Sequence, residues 1–450
     1  MSIGEKQIEL INYVKSFFKS IESSNIDSSL SGFCYCASWT ESLGYAKLKY
    51  KLKGWVFVPK FCIIFLKNVL AIASHSKYIE FKNRSTSDNY DIIILSYSFK
   101  ENFQTDGSFN DRYFNENSKD LPNSHWMLIS MDGYIPSNLN NNITIIKNEK
   151  GAFKYNFFSL IKILASIIVD CRFTPRKIFH YLSYHSYFAK LISTIVKKEL
   201  KKNNYKVILI PYEAQPSQNN VFLEAKKINK KIKTIGYNSS LLTPLPCEFV
   251  YRSGAPDLLL VHGESQVEIF KSKLNWPENK LILIESLRFR SKKDSSLSKK
   301  IFIPIAIHNR SIFINEFEKL LMQSPPNSFP RFDVKNHSTM LNSNKHLNLK
   351  KELEMIMEIY KNRLSDFSTS KNTSIFFGVT AAVFEALEKG VNVIHICGDP
   401  IFESYNEKIW PNLKVKQLSK FVFNYNLISL GKHIIFGSNV TLSRTLKTLL

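Results

Sequence analysis

The stretch that most restricts how this chain can fold runs from Ser374 to His395. A strand-length apolar run, Ser374 to Phe377, gives way to Gly378, and Thr380 follows as an acceptable helix N-cap. Ala381 to Lys389 are mostly good helix formers, Gly390 stands where a left-handed C-cap belongs, and Val391 to Ile396 is again apolar. Strand, tight turn, short helix, glycine and strand make a βαβ unit. Strands joined this way lie parallel, and a parallel sheet carries helices on its faces. The first turn of such a unit also aims backbone N–H groups at the crevice beyond the strand ends, where an anion is stabilised.

The same alternation fills the rest of the chain. Strands are predicted at Asp91–Ser96, Trp126–Ser130, Lys206–Ile210, from Lys233 to Gly236, after Pro256 and at Leu281–Glu285. Helical spacing marks Gly4–Ile21, Phe157–Asp170, Tyr187–Lys202, Asn219–Lys230 and Glu264–Lys273. Ser291 to Lys300 is polar and aperiodic, so it reads as a linker. Beyond it the pattern restarts with strand Ile301–Ile307, helix Phe313–Met322, strand Phe332–Val334, helix Lys350–Arg363 and a closing helix near Asn439–Leu450. The expected fold is α/β, with two Rossmann-like parallel-sheet domains, 1–290 and 301–450, joined by 291–300 and facing across a cleft.

An apolar content of 44% and an aromatic content of 13% exclude a disordered chain. The formal charge of +23 suits nucleic acid, an anionic membrane face or phosphate-bearing small molecules. The lysines are scattered, so plain surface solvation competes with all three, and without a basic stripe or recognisable module nucleic acid is not the expected partner. Of six cysteines only Cys34 and Cys36 are close, with no partner pair for a zinc site. Reduced thiols, no secretory signal and no membrane-length apolar run predict a cytoplasmic protein. No cofactor or metal is expected.

Three further pieces carry a resemblance: Asp111-Arg-Tyr-Phe114 with Trp126 downstream; Tyr212-Glu-Ala-Gln-Pro-Ser-Gln218; and Ile235-Gly-Tyr237 leading to Pro256-Asp257 and His262-Gly263. With Thr380-Ala-Ala-Val-Phe-Glu385 they resemble GT-B glycosyltransferases, more narrowly bacterial surface-carbohydrate (O-antigen and capsule) proteins related to Kdo- and sialic-acid-transferring enzymes. The resemblance spans roughly 91–398. It implies an acceptor-side first domain and a nucleotide-sugar-binding second domain, with a metal-independent transfer from a nucleotide-sugar donor to a glycan or lipid-linked acceptor. Peripheral docking on an anionic inner leaflet would use the positive charge, with Phe153–Lys177 as the contact. The chain departs from the pattern where Asn238-Ser239-Ser240 replaces a histidine-bearing turn and where Lys335-Asn-His337-Ser338 lacks a proline. Those departures motivate a non-catalytic binding scaffold as the alternative, with a basic nucleic-acid-binding protein more remote.

Glycosyl transfer needs a base for the acceptor hydroxyl and a seat for the departing phosphate. Glu213, at the carboxyl end of an apolar strand, is the expected base, its pKa raised by partial burial; Asp132 is the reserve, although Asp-Gly is common turn chemistry. Donor binding is expected at Gly378, Thr380 and Ala381 through backbone N–H groups, and at Lys335 and Arg288. The resemblance gives Glu385 to the donor's ribose hydroxyls, against a plain surface pair with Lys389. His337 would help the leaving group, and Tyr212, Gln215, Asn238 and His262 would line the acceptor side. Thr380 as a simple helix cap and His262 as a core histidine are the competing accounts.

Overall fold

The computed structural model describes residues 1–23, 78–82, 90–148, 184–290, 297–365, 372–437 and 440–449, with isolated helical positions at 48, 63, 66, 67, 70 and 165. The expected helix Phe157–Asp170, the membrane contact around it and residues 291–296 of the linker lie outside these.

Helix α1 (Ile3–Glu22) opens on a capping box, Ser2 Oγ accepting from the Glu5 N–H at 3.3 Å and the Glu5 carboxylate accepting from the Ser2 N–H at 2.8 Å. The first lobe then follows as β1 (Tyr78–Lys82), β2 (Ile92–Ser98), the two-residue ribbon β3 (Asn110–Asp111) and β4 (Glu116–Asn117), β5 (Ser124–Ser130) and β6 (Ile143–Asn148). It continues through α2 (Tyr184–Lys202), β7 (Val207–Pro211), α3 (Pro216–Ile228), β8 (Lys233–Tyr237), β9 (Leu258–Val261), α4 (Glu264–Ser272) and β10 (Leu281–Leu283). The second comprises β11 (Lys300–Ile303), α5 (Arg310–Met322), β12 (Asp333–Asn336), α6 (Asn344–Ile359), β13 (Thr373–Phe377), α7 (Ala382–Glu388), β14 (Asn392–Ile396), α8 (Pro400–Glu403), β15 (Leu413–Gln417) and β16 (Val422–Leu427). Helix α9 (Leu442–Leu449) closes the chain.

Two parallel-rich sheets result, as the alternating pattern requires. The first has eight strands in the order β1-β6-β5-β2-β7-β8-β9-β10, parallel except for β1 against β6. The second has six, β12-β11-β13-β14-β16-β15, with β16 antiparallel to both its neighbours. Every residue of β7 and β13 is buried, the signature of strands covered on both faces. The βαβ unit forms from β13, α7 and β14, and Gly390 takes φ +75 at the helix end as expected.

The chain crosses between lobes at both ends. Gln7 of α1 donates to the carbonyls of Ile401 (3.0 Å) and Ser404 (2.8 Å) in the second lobe. The same helix lays Phe18 against Arg252 and accepts from the Ser253 N–H through Glu22 in the first. Helix α9 returns to the first sheet, where Leu442 and Leu446 join a core with Ile235 and Leu260. Between these straps the lobes share one apolar core that runs from Tyr212, Leu242 and Phe249 to Phe384, Tyr405 and Trp410. Among the described residues no helix is long and apolar enough to cross a membrane.

Candidate functional site

In each sheet the strand order reverses once. In the first, chain order runs from β2 out through β5 and β6, then restarts at β7 on the other side of β2; in the second, β11 and β12 lie on one side and β13 and β14 on the other. Open α/β sheets hold ligands just beyond the carboxyl ends of the strands at such a reversal. Tyr97 near the end of β2, Glu213 after β7, Pro304 after β11 and Thr380 after β13 all line one cavity of about 1010 Å³. Both reversal points open onto the same cleft.

The first-lobe wall carries Glu213 and Gln215. Glu213 Oε2 accepts from Gln215 Nε2 at 2.8 Å, Oε1 faces the Ser240 hydroxyl at 3.4 Å, and Tyr97 donates to Gln215 Oε1 at 3.3 Å. Gln218 fixes this turn from α3, accepting from the Glu213 N–H at 2.8 Å and donating to the Pro211 carbonyl at 2.7 Å. Ala214 completes it at φ +54, a left-handed conformation that costs a residue with a Cβ roughly 1–2 kcal/mol. The negative charge of Glu213 also acts, after burial, to push up the phenols of Tyr97 and Tyr113.

Arg112 and Tyr113 come from the turn between β3 and β4. Asp111 builds that turn. Its carboxylate accepts from the Tyr113 N–H (2.7 Å), the Phe114 N–H (2.8 Å) and the Ser96 hydroxyl, while burial pushes its pKa up to about 6. Arg112 then lies 4.4 Å over the Phe99 ring and lines the cleft with Arg288.

The second-lobe wall carries Lys335, His337, Thr380, Ala381 and Glu385. Lys335 pairs with Asp333 at 2.7 Å, and His337 Nδ1 lies 2.8 Å from the Thr339 hydroxyl. Desolvation, then the positive charges of Arg112, His346 and Arg288, hold His337 below the usual imidazole range. Two of those three charges belong to the opposite lobe. Glu385 lines the cavity and pairs with Lys389 at 2.9 Å, a largely buried pair, with Lys389 only 6% exposed, rather than the surface pair expected.

Several expected site residues are placed elsewhere. Tyr212 is 1% exposed and its hydroxyl accepts from the Asn219 amide at 2.7 Å, because the residue beside a cleft-facing Glu213 points to the opposite face of an extended chain. Asn238 is fully buried, its amide donating to Gln266 at 3.2 Å, while Ser240, in the same turn where a histidine was expected, does line the cleft. His262 is a core histidine, fully buried between Tyr237 and Phe289, with burial lowering its pKa to about 3. Asp132 is exposed and spends its carboxylate on the N–H groups of Lys100 (2.8 Å) and Tyr134 (3.0 Å), the Asp-Gly turn it resembled. Gly378, at φ +57, makes the turn after β13, and its carbonyl accepts from His395 Nε2 at 2.5 Å. Thr380 is not an N-cap: α7 begins at Ala382 after Ala381, and the Thr380 hydroxyl accepts from the Ala382 N–H at 3.2 Å as a local turn.

Sequence reading missed Arg112, Tyr113, Tyr97 and Glu248 in the cleft wall. For the first two a signal existed in Asp111-Arg-Tyr-Phe114. Glu248 had none, since it sits in the irregular Pro244–Phe249 segment.

No family model matches the chain, and no curated protein matches it. Among solved structures, the apo form of WaaB, a lipopolysaccharide outer core galactosyltransferase, aligns at 9% identity with a TM-score of 0.33, covering 68% of this chain and 80% of that one. The chemistry of the cleft is read from its own residues.

Proposed function

We propose that this chain is a GT-B-like glycosyltransferase, moving a sugar from a nucleotide donor held by the second lobe to a glycan or lipid-linked surface-polysaccharide acceptor held by the first. The observation that carries this reading is the meeting of two sheet-reversal points on one cavity, with a carboxylate on one wall and cationic groups on both. Glu213 takes the proton of the acceptor hydroxyl while that oxygen bonds to the donor's anomeric carbon. The carbon–phosphate-oxygen bond breaks, and the leaving phosphate keeps its electron pair. Arg288, Arg112 and Lys335 balance the charge that develops there, and His337 offers it a hydrogen bond as a neutral imidazole. The N–H groups around Ala381 supply further donors. A CMP-linked acidic sugar is the preferred donor class, since guanidinium groups match both the phosphate and a sugar carboxylate. Residues 1–290 serve as the acceptor-side domain, 291–300 as the linker and 301–450 as the donor domain, on the cytoplasmic face of an anionic inner leaflet.

Thermal-shift titration with CMP, CDP, UDP and GDP tests the donor half, because a ligand of the folded form alone raises its stability. Glu213→Gln tests the acceptor half: nucleotide release from the matching sugar donor falls about 10²–10⁴-fold while nucleotide affinity holds. Nucleotide binding without any release in the unaltered protein would instead favour a binding scaffold.

A further inference from the structure

A glutamate that takes a proton has two oxygens to take it with, and its side chain turns about several bonds, so something must choose the oxygen and hold the plane. Gln215 does both. Its Nε2 donates to Glu213 Oε2 at 2.8 Å, whereas Oε1 faces the Ser240 hydroxyl at 3.4 Å, longer than an ordinary O–H···O hydrogen bond. Residues two apart in an extended chain stand about 7 Å from each other. Ala214, at φ +54, folds the chain between Glu213 and Gln215 so that their side chains meet. The backbone beneath is pinned at a single atom: Gln218 Oε1 accepts from the Glu213 N–H at 2.8 Å and the Gln215 N–H at 3.1 Å.

The amide is fixed in turn. Only its nitrogen end can face a carboxylate, which turns Gln215 Oε1 the other way, and the Tyr97 hydroxyl donates to that oxygen at 3.3 Å. Tyr97 stands on β2, the strand beside β7, with its ring edge-on to Tyr113 at 6.1 Å. Tyr97, Gln215 and Glu213 all line the cavity. Hydroxyl, amide and carboxylate thus form a row along the first-lobe wall, set before any ligand arrives.

Resting on the transferase reading, we propose that Gln215 and Tyr97 are positioning residues for the base: the amide ties down Glu213 Oε2, Tyr97 ties down the amide, and the acceptor hydroxyl gives its proton to Oε1 beside Ser240. The acceptor's O–H bond breaks as its oxygen bonds to the anomeric carbon, and the proton stays on Oε1. Gln215 and Tyr97 neither gain nor lose one. The titratable groups that the charge of Glu213 reaches are Tyr97 on β2, Tyr113 on the β3–β4 turn and Glu248 after β8. Arg112, His185, Arg288, Lys335, His337 and Glu385 complete the ionisable lining of the cavity. Substitutions at Gln215 leave all of these in place.

A hydrogen bond donated to a carboxylate favours its charged form, so loss of the donor is read in the pH profile of turnover. Gln215→Leu lowers turnover at neutral pH about tenfold and moves the acid limb up by about one pH unit, while the acceptor KM stays within about twofold. Gln215→Glu sets a second carboxylate against the first and moves the limb further; Tyr97→Phe moves it least. Added to Glu213→Gln, the leucine costs no further turnover, because its effect passes through the base. Acid limbs that coincide with that of the unaltered protein would overturn the proposal. So would a rise in acceptor KM alone, the mark of an amide that touches the acceptor. A ligand-free measurement separates this from the transferase reading: the infrared band of the Glu213 carboxyl, identified by its loss in Glu213→Gln, appears at higher pH in Gln215→Leu than in the unaltered protein. If no donor is turned over, the transferase reading fails and the band alone decides the row, an unmoved band overturning it.

Discussion

Two surfaces run between the lobes, and they treat their polar atoms in opposite ways. The seam is apolar and nearly closed. Phe384 packs on Tyr405 and Trp410 with ring centroids 4.6 and 4.5 Å away, while Tyr405 and Trp410 reach across to the carbonyls of Leu242 (3.4 Å) and Pro244 (3.5 Å). Gly263 brings the two backbones together, since a Cβ there would sit 2.0 Å from the His433 carbonyl oxygen. The cleft, a few residues along the same loops, is open and holds Glu213, Arg112, Arg288 and His337. The seam supplies stability and fixes the spacing of the walls; the cleft keeps groups whose partners are a bound ligand's atoms.

The comparison breaks most visibly at Trp410. Truncation to alanine removes a fully buried indole from the seam and lowers unfolding free energy by about 3–5 kcal/mol, as read from urea denaturation. Glu213→Gln, on the cleft side, leaves that value within about 0.5 kcal/mol. Equal losses in the two variants would mean the surfaces are not divided in this way.

Acid sharpens the contrast by about 2.7 kcal/mol per residue. His262 and His433 are fully buried at the seam, with no partner for any ring nitrogen among the described residues, and burial lowers both pKa values to about 3. The unfolded chain binds these protons at 6.5 and the folded one only near 3, so stability is intact above 6.5 and lost as pH falls between the two. At pH 4.5 each histidine costs about 2.7 kcal/mol. His433→Phe, which keeps the stack on Phe384 at 4.1 Å, shows that much less acid sensitivity in matched melts, whereas an unchanged acid slope would place the seam's weakness elsewhere.

Much of the scaffold was legible because its signals are local. Glycine at 378 and 390 and the apolar runs around them specify strand, turn and helix without reference to the rest of the chain. The β1 and β6 strands were not seen: β1 stands at the sheet edge, and β6 is a short run, Ile143–Asn148, that mixes Thr144, Lys147 and Asn148 with its isoleucines and so lacks the unbroken apolar patterning of β7. The site was legible by wall but not by side chain. Glu213 and Gln215, after the end of β7, line the cleft, while Tyr212 beside them is core. His262 and Asn238 belong to the seam, a surface made by segments some 170 residues apart that no local period announces. The apolar stripe of α1 announced burial, but nothing in it named α8 as the partner.

The smallest effect, and the most diagnostic of how the cleft is built, is at Ala214. At the seam a close backbone approach, at Gly263, is met by a residue without a Cβ, whereas the turn carrying Glu213 holds an alanine at φ +54 where glycine would be relaxed. Two side chains hold it there: Arg252 on its carbonyl at 2.6 Å, and Gln218 on the flanking N–H groups of Glu213 and Gln215. Ala214→Gly removes the strain and stabilises the protein by about 1 kcal/mol. It also loosens the one backbone joint between Glu213 and Gln215, so turnover falls severalfold while nucleotide affinity on the opposite wall is unchanged. A variant that gained stability and kept full turnover would show that the strain is incidental. One that lost stability would show that alanine's methyl packs into the shared core, where it is 2% exposed, for more than its conformation costs.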